Sequence, residues 1–456
     1  MELIISKNAN SNYLSKIVEI QSFHPHPDPD VSKLKCCTVD GYNIIVGIDE
    51  QPGRFVYFPA LSQINNNLLS YCNLYKHKEL NSNPNETGMF EDNGRVKAIR
   101  LRGCISEGFL LPIIAFQNFI LSVTNKEIAC KVGTEFDSIK DGNKEFWISK
   151  KYIVVKNLSN NISKESKYQK NVKKFNRVID TQFRFHYDTT IIKKVPNAIL
   201  PDDIIQISSK IHGTSGISAY VLCKQPLSIR QRIAKWLVGE EFNKYDYLYS
   251  SRTVIKNATI NEGVTSGYYG CDVWAEADKI IKPCLQKGMH MYYEIVGFLP
   301  NGGYIQKGYD YGCESPKEGE KYTHEKHFKV RVYRITLTNV DGQVHEFSTQ
   351  EVQQYCKKVG LVPVTELYYG PAKDLYPDLD VTIHFNENFI ERLSNDKSFY
   401  MECDSPECVN KVPHEGVVIK KDNMESSAFK LKCFNFLNKT EQASLDKGES
   451  NIEDEN

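Results

Sequence analysis

Short runs in which apolar and polar residues alternate fill the first 148 positions, and turn-forming residues separate them. Residues 34–47 (LKCCTVDGYNIIVG) contain two such runs joined by Asp-Gly, a pair typical of tight hairpin turns. Three further runs follow the same pattern: 53–59, 95–102 and 108–112. Because a period of two is typical of strands and no strong helical pattern interrupts these runs, we predict a small β-barrel such as an OB-fold for residues 1–148.

Basic residues alternate with apolar ones along 95–102, and the register slips once at Ala98-Ile99. A β-bulge at that point would keep one face of the strand basic and the other on a core. OB barrels commonly bind nucleic-acid backbones, so a basic strand there is expected to do the same. Its four cations are Arg95, Lys97, Arg100 and Arg102.

The charge pattern changes after the predicted barrel. Between positions 150 and 177, nine residues are Lys or Arg and one is acidic. We interpret 149–200 as a basic connector, solvated between two domains and suited to contact a phosphate backbone. Residues 441–456 contain six acidic residues and one lysine, which predicts a disordered acidic tail.

Composition excludes several classes of protein. The 456 residues suggest more than one domain, and 41% hydrophobic with 25% charged residues is the balance of a globular protein. No run of apolar residues is long enough for a membrane span, and the N-terminus lacks the pattern of a secretory signal. The 13 cysteines, an odd and scattered set, predict reduced thiols in the cytoplasm or another reducing compartment.

Candidate chemistry lies in the second half of the chain. Residues 204–209 read as a strand that runs into Lys210 and a Gly-Thr turn, where a phosphate could approach a lysine nucleophile closely. Lys430 and Lys432 are two positions apart in a strand-like segment, so both ammonium groups share one face. An anion between them, such as a triphosphate, would offset their repulsion. Glu294 lies in an otherwise apolar strand, where a carboxylate needs hydrogen bonds or a pocket.

These segments resemble, in order, the motifs of the covalent nucleotidyltransferases, the superfamily of RNA ligases, DNA ligases and mRNA capping enzymes. The matching segments are 210–214 (KIHGT, motif I), 250–252 (SSR, Ia), 293–297 (YEIVG, III), 332–335 (VYRI, IIIa), 415–420 (EGVVIK, IV) and 430–432 (KLK, V). Each motif is weak alone, and their order over about 220 residues is the stronger evidence. His212 followed by a glycine and a threonine is similar to the nick-sealing RNA ligases in particular.

The N-terminal region resembles the OB domain that precedes the ligase core in RNA ligases of the Deinococcus and Naegleria type. The residues that carry this likeness are 38–41, 94–103 and 106–108. The resemblance therefore implies an α+β protein, in which an N-terminal OB-like β-barrel precedes an antiparallel-sheet nucleotidyltransferase domain. We place the barrel at 1–148, the basic connector at 149–200, the adenylyltransferase domain at 201–440 and the acidic tail at 441–456.

The resemblance implies an ATP-dependent RNA ligase that needs Mg²⁺ or Mn²⁺. Lys210 would attack the α-phosphate of ATP, forming lysyl-AMP and releasing pyrophosphate. AMP would pass to an RNA 5′-phosphate, and a 3′-OH would then displace it. The lysine must first lose its proton, and a metal ion with Lys430 or Lys432 would favour that loss.

Further roles follow from the same resemblance. Arg252 would contact the ribose or the RNA end, Glu294 would bond the ribose, and Tyr333 would stack on adenine. Glu415 would hold metal-bound water near Lys210. The two motif V lysines, Lys430 and Lys432, would bind phosphate. His212 stands where capping enzymes and DNA ligases usually carry Asp, so we interpret it as a hydrogen-bonded structural residue rather than a metal ligand.

The expected partner is RNA with 3′-OH and 5′-phosphate ends, as in a nicked duplex, bound by a monomer without a membrane. Two alternatives stay open. An mRNA guanylyltransferase would use GTP and carry its OB domain after the core, but only about two dozen residues follow Lys432. A non-catalytic RNA-binding protein could retain the same fold.

Overall fold

The computed structural model describes residues 1–154, 175–239, 242–260, 271–422 and 427–449. The N-terminal part contains fourteen strands within 1–154: β1 (Glu2–Ile4), β2 (Ser15–Ile20), β3 (His24–Pro25), β4 (Leu34–Val39), β5 (Tyr42–Gly47), β6 (Gly53–Pro59), β7 (Ser62–Ile64), β8 (Ile99–Leu101), β9 (Cys104–Ser106), β10 (Gly108–Pro112), β11 (Glu135–Phe136), β12 (Ser138–Asp141), β13 (Lys144–Trp147) and β14 (Ser149–Lys151). Helices α1 (Asn66–Tyr71) and α2 (Ile113–Thr124) accompany them.

These strands form several small antiparallel sheets, ordered β10-β6-β2-β11, β3-β4-β5 and β1-β12-β13, with the pairs β8-β9 and β7-β14. The sheet order does not close on itself within residues 1–154, so the predicted OB barrel is not confirmed. The predicted hairpin at 34–47 is confirmed as β4 and β5. Its turn residues Asp40 and Gly41 both have positive φ, as a two-residue hairpin turn requires.

The strand predicted at 95–102 is shorter than expected, and its basic residues do not form one solvent-exposed face. Only β8 pairs as a strand, and Arg95 is buried. Arg95 and Lys97 both pair with Asp446, near the C-terminus, the latter at 3.2 Å. The backbone of Ala98 exchanges two hydrogen bonds with the Gln442 side chain, at 2.8 and 2.6 Å. Two of the four cations expected to bind nucleic acid are thus engaged by this chain's own C-terminal segment.

The second part contains twelve strands among its described residues: β15 (Phe175–Asn176), β16 (Thr190–Ile191), β17 (Ile204–Ser209), β18 (Thr214–Lys224), β19 (Asn243–Ser250), β20 (Thr259–Ile260), β21 (Met289–Gly297), β22 (Phe328–Thr338), β23 (Val344–Glu346), β24 (Glu366–Pro371), β25 (Gly416–Lys421) and β26 (Ser427–Lys432). Its helices are α3 (Ile229–Val238), α4 (Val273–Ile281), α5 (Thr349–Val359), α6 (Ala372–Leu375), α7 (Phe385–Ser394), α8 (Phe434–Phe436) and α9 (Ala443–Asp446), with a π-helical segment, Leu437–Gln442, between the last two.

Two five-stranded sheets dominate this part, ordered β19-β18-β21-β22-β23 and β16-β26-β25-β17-β24. All pairings within them are antiparallel except that of β16 with β26. Each sheet has its own apolar core, one around Trp274 of α4 and the other around Phe389 of α7. The α+β class with mainly antiparallel sheets is confirmed. Among the residues that the structure describes, no helix combines the length and apolar character that crossing a membrane requires.

The connector and the tail differ from their predictions where they are described. In the connector, Arg177 is paired with Asp246 at 2.6 Å, and β16 adds an edge to the sheet of β26. Residues 155–174, which carry much of its basic charge, lie outside the described part. In the predicted disordered tail, residues 441–446 are helical and pack on the N-terminal part, because Gln442 finds backbone partners there. Residues 450–456 are not described.

Candidate active site

A pocket lies between the two five-stranded sheets, and Lys210 stands in it at the turn from β17 to β18. The Lys210 backbone N–H donates to Gly416 O at 2.9 Å, which ties this turn to the start of β25. A Cβ at position 213 would lie 2.4 Å from Ile295 O, so the turn requires glycine there. The side chains that line the pocket include His186, Asp188, Gln206, Ser215, Arg252, Glu294, Tyr333, Arg334, Glu346, Lys420, Lys430 and Lys432.

Glu415 is the buried carboxylate beside Lys210. Its Oε1 lies 2.7 Å from Lys210 Nζ and 3.9 Å from Lys432 Nζ. The next residue, Gly416, has φ +133°, and a Cβ there would meet Leu431 O at 2.1 Å. The Glu-Gly pair thus combines a buried acid with a close approach of β25 to β26, which brings Lys432 toward the same acid.

The two lysines of β26 share one face, as their spacing predicts. Lys430 Nζ lies 3.0 Å from Asp188 Oδ1, and Lys432 Nζ lies 2.5 Å from Glu441 Oε1. Arg252 Nη2 reaches the same Asp188 oxygen at 3.0 Å. The pocket therefore gathers three cations around carboxylates, an arrangement that suits a polyanionic ligand.

Glu294 and Tyr333 stand on neighbouring strands of the other sheet. Glu294 Oε1 accepts a hydrogen bond from the Gly213 N–H at 3.1 Å and so supports the Lys210 turn. Tyr333 OH and Ser215 Oγ share a hydrogen bond at 3.0 Å, and the His186 ring meets the Tyr333 ring edge-on at 5.2 Å. Burial raises the pKa of the Tyr333 phenol well above its usual range, so this ring stays neutral.

All seven residues that the sequence singled out come together. Six line the pocket, and Glu415 contacts Lys210 directly: the six are Lys210, Arg252, Glu294, Tyr333, Lys430 and Lys432. Their chemical roles stay predictions. His212 packs edge-on against Tyr309 and Phe436, with Nδ1 3.8 Å from Glu415 Oε2. This enclosed aromatic setting agrees with a structural role.

Sequence reasoning missed a buried charge cluster at the pocket wall. Arg334 Nε and Nη2 donate to Glu346 at 2.8 and 2.7 Å, and Lys420 Nζ donates to the same carboxylate at 3.4 Å. The Arg334 guanidinium also lies over the rings of Tyr187 and Tyr292, 4.7 and 4.5 Å from their centres. Burial lowers the pKa of Lys420, and Glu346 opposes that shift.

A β-bulge explains how neighbouring residues of β22 both reach the pocket. Tyr292 pairs with Arg334 and Tyr293 pairs with Val332, so Tyr333 is the extra residue. Glu294 and Arg334 share one signal in the sequence, a charge flanked by apolar residues within a strand, and at Arg334 that signal points to this cluster. Asp188 and His186 had no comparable signal, because the sequence assigned them to a solvated connector.

The donor set suits a magnesium-type ion shared with a substrate rather than a dedicated metal cage. Among the described residues, no group of three His, Cys, Asp or Glu side chains could hold a metal ion. Mg²⁺ is usually bound by one or two carboxylates together with substrate phosphates and water. Glu415, buried next to Lys210, can supply one such carboxylate.

Comparisons with known proteins agree with this geometry at the level of the fold. No protein-family model matches the sequence, and no curated protein matches it. Solved structures of Naegleria gruberi RNA ligase do match. A variant with ATP and Mn has a TM-score of 0.51 at 15% identity, covering 94% of this chain and 99% of that one. An apo variant has 0.51 at 16%, covering 94% and 98%. The ligase with PPi has 0.50 at 16%, covering 94% and 99%.

The chain thus has the fold of an RNA ligase, which is the fold that its ordered motifs predicted. These matching structures are of the Naegleria gruberi RNA ligase, and the likeness extends over both parts of the chain.

Proposed function

We propose that this protein is an ATP-dependent RNA ligase that joins RNA 3′-OH and 5′-phosphate ends through lysyl-AMP and RNA-adenylate intermediates. The observation that carries the proposal is the setting of Lys210. Its amine lies 2.7 Å from a buried carboxylate, in a pocket that also holds Arg252, Lys430 and Lys432. The matching structures support the choice of nucleotide, since they are of the Naegleria ligase with ATP, with AMP or with PPi.

In the first step, ATP binds with its adenine against Tyr333 and its ribose at Glu294, while Lys430 and Lys432 contact the phosphates. Arg252 contacts the ribose or the RNA end. Lys210 must lose a proton before it attacks, and Glu415 Oε1 is the atom placed to accept that proton. The amine then forms a P–N bond to the α-phosphorus, the bond to the β-phosphate oxygen breaks, and pyrophosphate leaves. Lys430 and Lys432 would offset the charge that develops on the departing oxygens.

In the second and third steps the pocket serves RNA. An oxygen of the RNA 5′-phosphate attacks the phosphorus of lysyl-AMP, forming a phosphoanhydride and returning the amine of Lys210. The RNA 3′-OH then attacks the 5′-phosphate and expels AMP. Glu415 would hold Mg²⁺ or Mn²⁺, which supplies positive charge at the reacting phosphate when bound.

For the rest of the chain we propose the organisation given by the sequence: a nucleic-acid-binding domain at 1–148, a connector at 149–200 and the adenylyltransferase domain at 201–440. Direct contacts support an active site that both parts shape. Asn10 and Asn12 donate hydrogen bonds to Asp188 Oδ2, each at 3.3 Å. The other oxygen, Asp188 Oδ1, accepts hydrogen bonds from Arg252 and Lys430. All thirteen cysteines are free, which supports a cytoplasmic or other reducing compartment.

The test is the sealing of a nicked RNA duplex with a labelled 5′-phosphate at the nick. With ATP and Mg²⁺, the wild-type protein should convert the labelled strand into the joined product, and Lys210→Ala should not. Lys373→Ala is the matched control, because Lys373 pairs with Asp202 on the surface. This variant should seal the nick at the wild-type rate. Wild-type protein that binds the duplex but leaves the nick open would support the non-catalytic alternative. In a parallel incubation with labelled GTP or labelled ATP, label attached to the protein from GTP alone would support a guanylyltransferase.

A further inference from the structure

Helix α3 interrupts the hairpin of β18 and β19, and its ends are defined locally. Ser228 and Gln231 form a capping box at the start, and Gly239 ends the helix in the left-handed conformation. None of its residues with a described side chain is buried. The segment is therefore a helix that its own caps specify and that adds little to the core.

The exposed side of this helix is apolar. Ile229, Ile233, Trp236 and Leu237 are 77%, 52%, 83% and 65% exposed. At 100° per residue these four positions fall within an arc of about 100°, so they form one stripe along the helix. A contiguous apolar stripe that includes an exposed tryptophan marks an interaction surface rather than ordinary surface variation.

Basic residues border the stripe on both sides. Arg230 and Arg232 flank it, one on each edge, and residues 229–238 contain no Asp or Glu. In the described part of the chain neither arginine forms an ion pair. From 224 to 244 the chain carries five basic and two acidic residues. The charge around the stripe thus complements an anionic partner.

We propose that helix α3 lies on an anionic phospholipid surface, with its apolar stripe among the acyl chains and both arginines at the headgroups. This order of apolar residues, tryptophan and flanking cations is that of an interfacial amphipathic helix. Ten residues of helix are about 15 Å long, half of what spanning would require, so the helix lies along the surface.

The position of the helix leaves the pocket free. From Ser215 in the pocket to Lys224 at the end of β18 the strand runs nine residues, about 30 Å of extended chain. An RNA strand would contact the two arginines but would leave the three aliphatic side chains of the stripe without an apolar partner. A symmetric pairing of two copies through the stripe would bring the arginines of one near those of the other.

The experiment is cosedimentation of the full-length protein with vesicles of phosphatidylcholine alone or of phosphatidylcholine and phosphatidylserine at about 3:1. Binding is expected with the mixed vesicles and not with the neutral ones. The chain has three tryptophans, and Trp274 is buried, so replacing the exposed Trp147 with phenylalanine leaves Trp236 as the residue whose emission can respond to lipid. On binding, this emission should shift to shorter wavelength.

Two double variants and a matched control separate the contributions. Arg230→Gln with Arg232→Gln should weaken binding about 30-fold. Trp236→Ser with Leu237→Ser, which also removes the fluorescent reporter, should abolish cosedimentation with the mixed vesicles. Lys357→Gln with Lys358→Gln removes two cations from the exposed end of α5 and should bind like the wild type. Circular dichroism should show all variants folded, since α3 contributes no described buried residue.

Three results would overturn the proposal. One is the absence of binding to the mixed vesicles. Another is equal binding by the wild type and both α3 variants. The third is a role for another partner without lipid binding, seen either as RNA affinity lost in the arginine variant or as a dimer that Trp236→Ser dissociates.

Discussion

Replacing Glu346 with glutamine would remove the only negative charge of the described Arg334–Glu346–Lys420 cluster while keeping nearly the same side-chain volume. Arg334 and Lys420 are each 8% exposed, and Glu346 is 6% exposed. Both cations depend on this carboxylate, Arg334 through bonds of 2.8 and 2.7 Å. Removing one partner of a buried ion pair costs about 3–5 kcal/mol, because the other charge stays buried without compensation.

The assay is equilibrium unfolding in urea, followed by circular dichroism and tryptophan fluorescence. A loss of 3 kcal/mol would lower the unfolding midpoint by about 1 M at an m value of about 3 kcal/mol/M. The matched control is Glu276→Gln, which breaks the surface pair between Glu276 and Lys279 and should cost no more than about 0.5 kcal/mol. A Glu346→Gln variant as stable as the control would refute the view that this cluster is a buried, mutually dependent unit.

Three further predictions concern other parts of the molecule. Burial lowers the pKa of His290 to about 3, so between pH 3 and about 6.5 only the unfolded chain binds a proton at this residue. Lowering the pH from 7.5 to 5.5 should therefore reduce the free energy of unfolding by about 1.4 kcal/mol through His290. In urea titrations, the free energy of unfolding of His290→Gln should fall less over this pH range than that of the wild type. Asp446→Ala leaves the buried Arg95 without its carboxylate and should lower the unfolding free energy by about 1–3 kcal/mol. Glu294→Ala should slow lysyl-AMP formation in a way that high ATP partly offsets, whereas Lys430→Ala should lower the rate itself.

Each of these has a contradicting outcome. Parallel pH profiles for the wild type and His290→Gln would show that another group carries the pH dependence. An Asp446 variant with unchanged stability would mean that the C-terminal segment holds without this ion pair. If both pocket variants form lysyl-AMP at the wild-type rate, neither Glu294 nor Lys430 belongs to the nucleotide site.

The sequence predicts those features that depend only on residues close together in the chain, such as turn conformation and the alternation of side chains along a strand. The Asp-Gly turn at 40–41 needs positive φ at both positions, and the chain adopts it. The period of two placed Lys430 and Lys432 on one face because they lie on a single strand. The motif segments come together because each lies on, or at the end of, a strand of the two five-stranded sheets.

Interactions between distant segments could not be read in the same way. Asp188 reaches the pocket because β16 pairs with β26, about 240 residues further along the chain. Gln442 and Asp446 are helical and packed, rather than part of a disordered tail, because their partners lie near residue 97. Closure of a barrel likewise depends on pairing among strands, which alternation alone does not specify.

Mass spectrometry of the protein after incubation with ATP and Mg²⁺ shows directly whether Lys210 carries AMP. We expect an AMP adduct on the wild-type protein that maps to the peptide containing Lys210. Adding pyrophosphate should remove the adduct, and Lys210→Ala should not form it. Lys210→Arg should fail as well, because a guanidinium stays protonated and cannot attack. A folded wild-type protein without the adduct, or an adduct that persists in Lys210→Ala, would show that Lys210 is not the nucleophile.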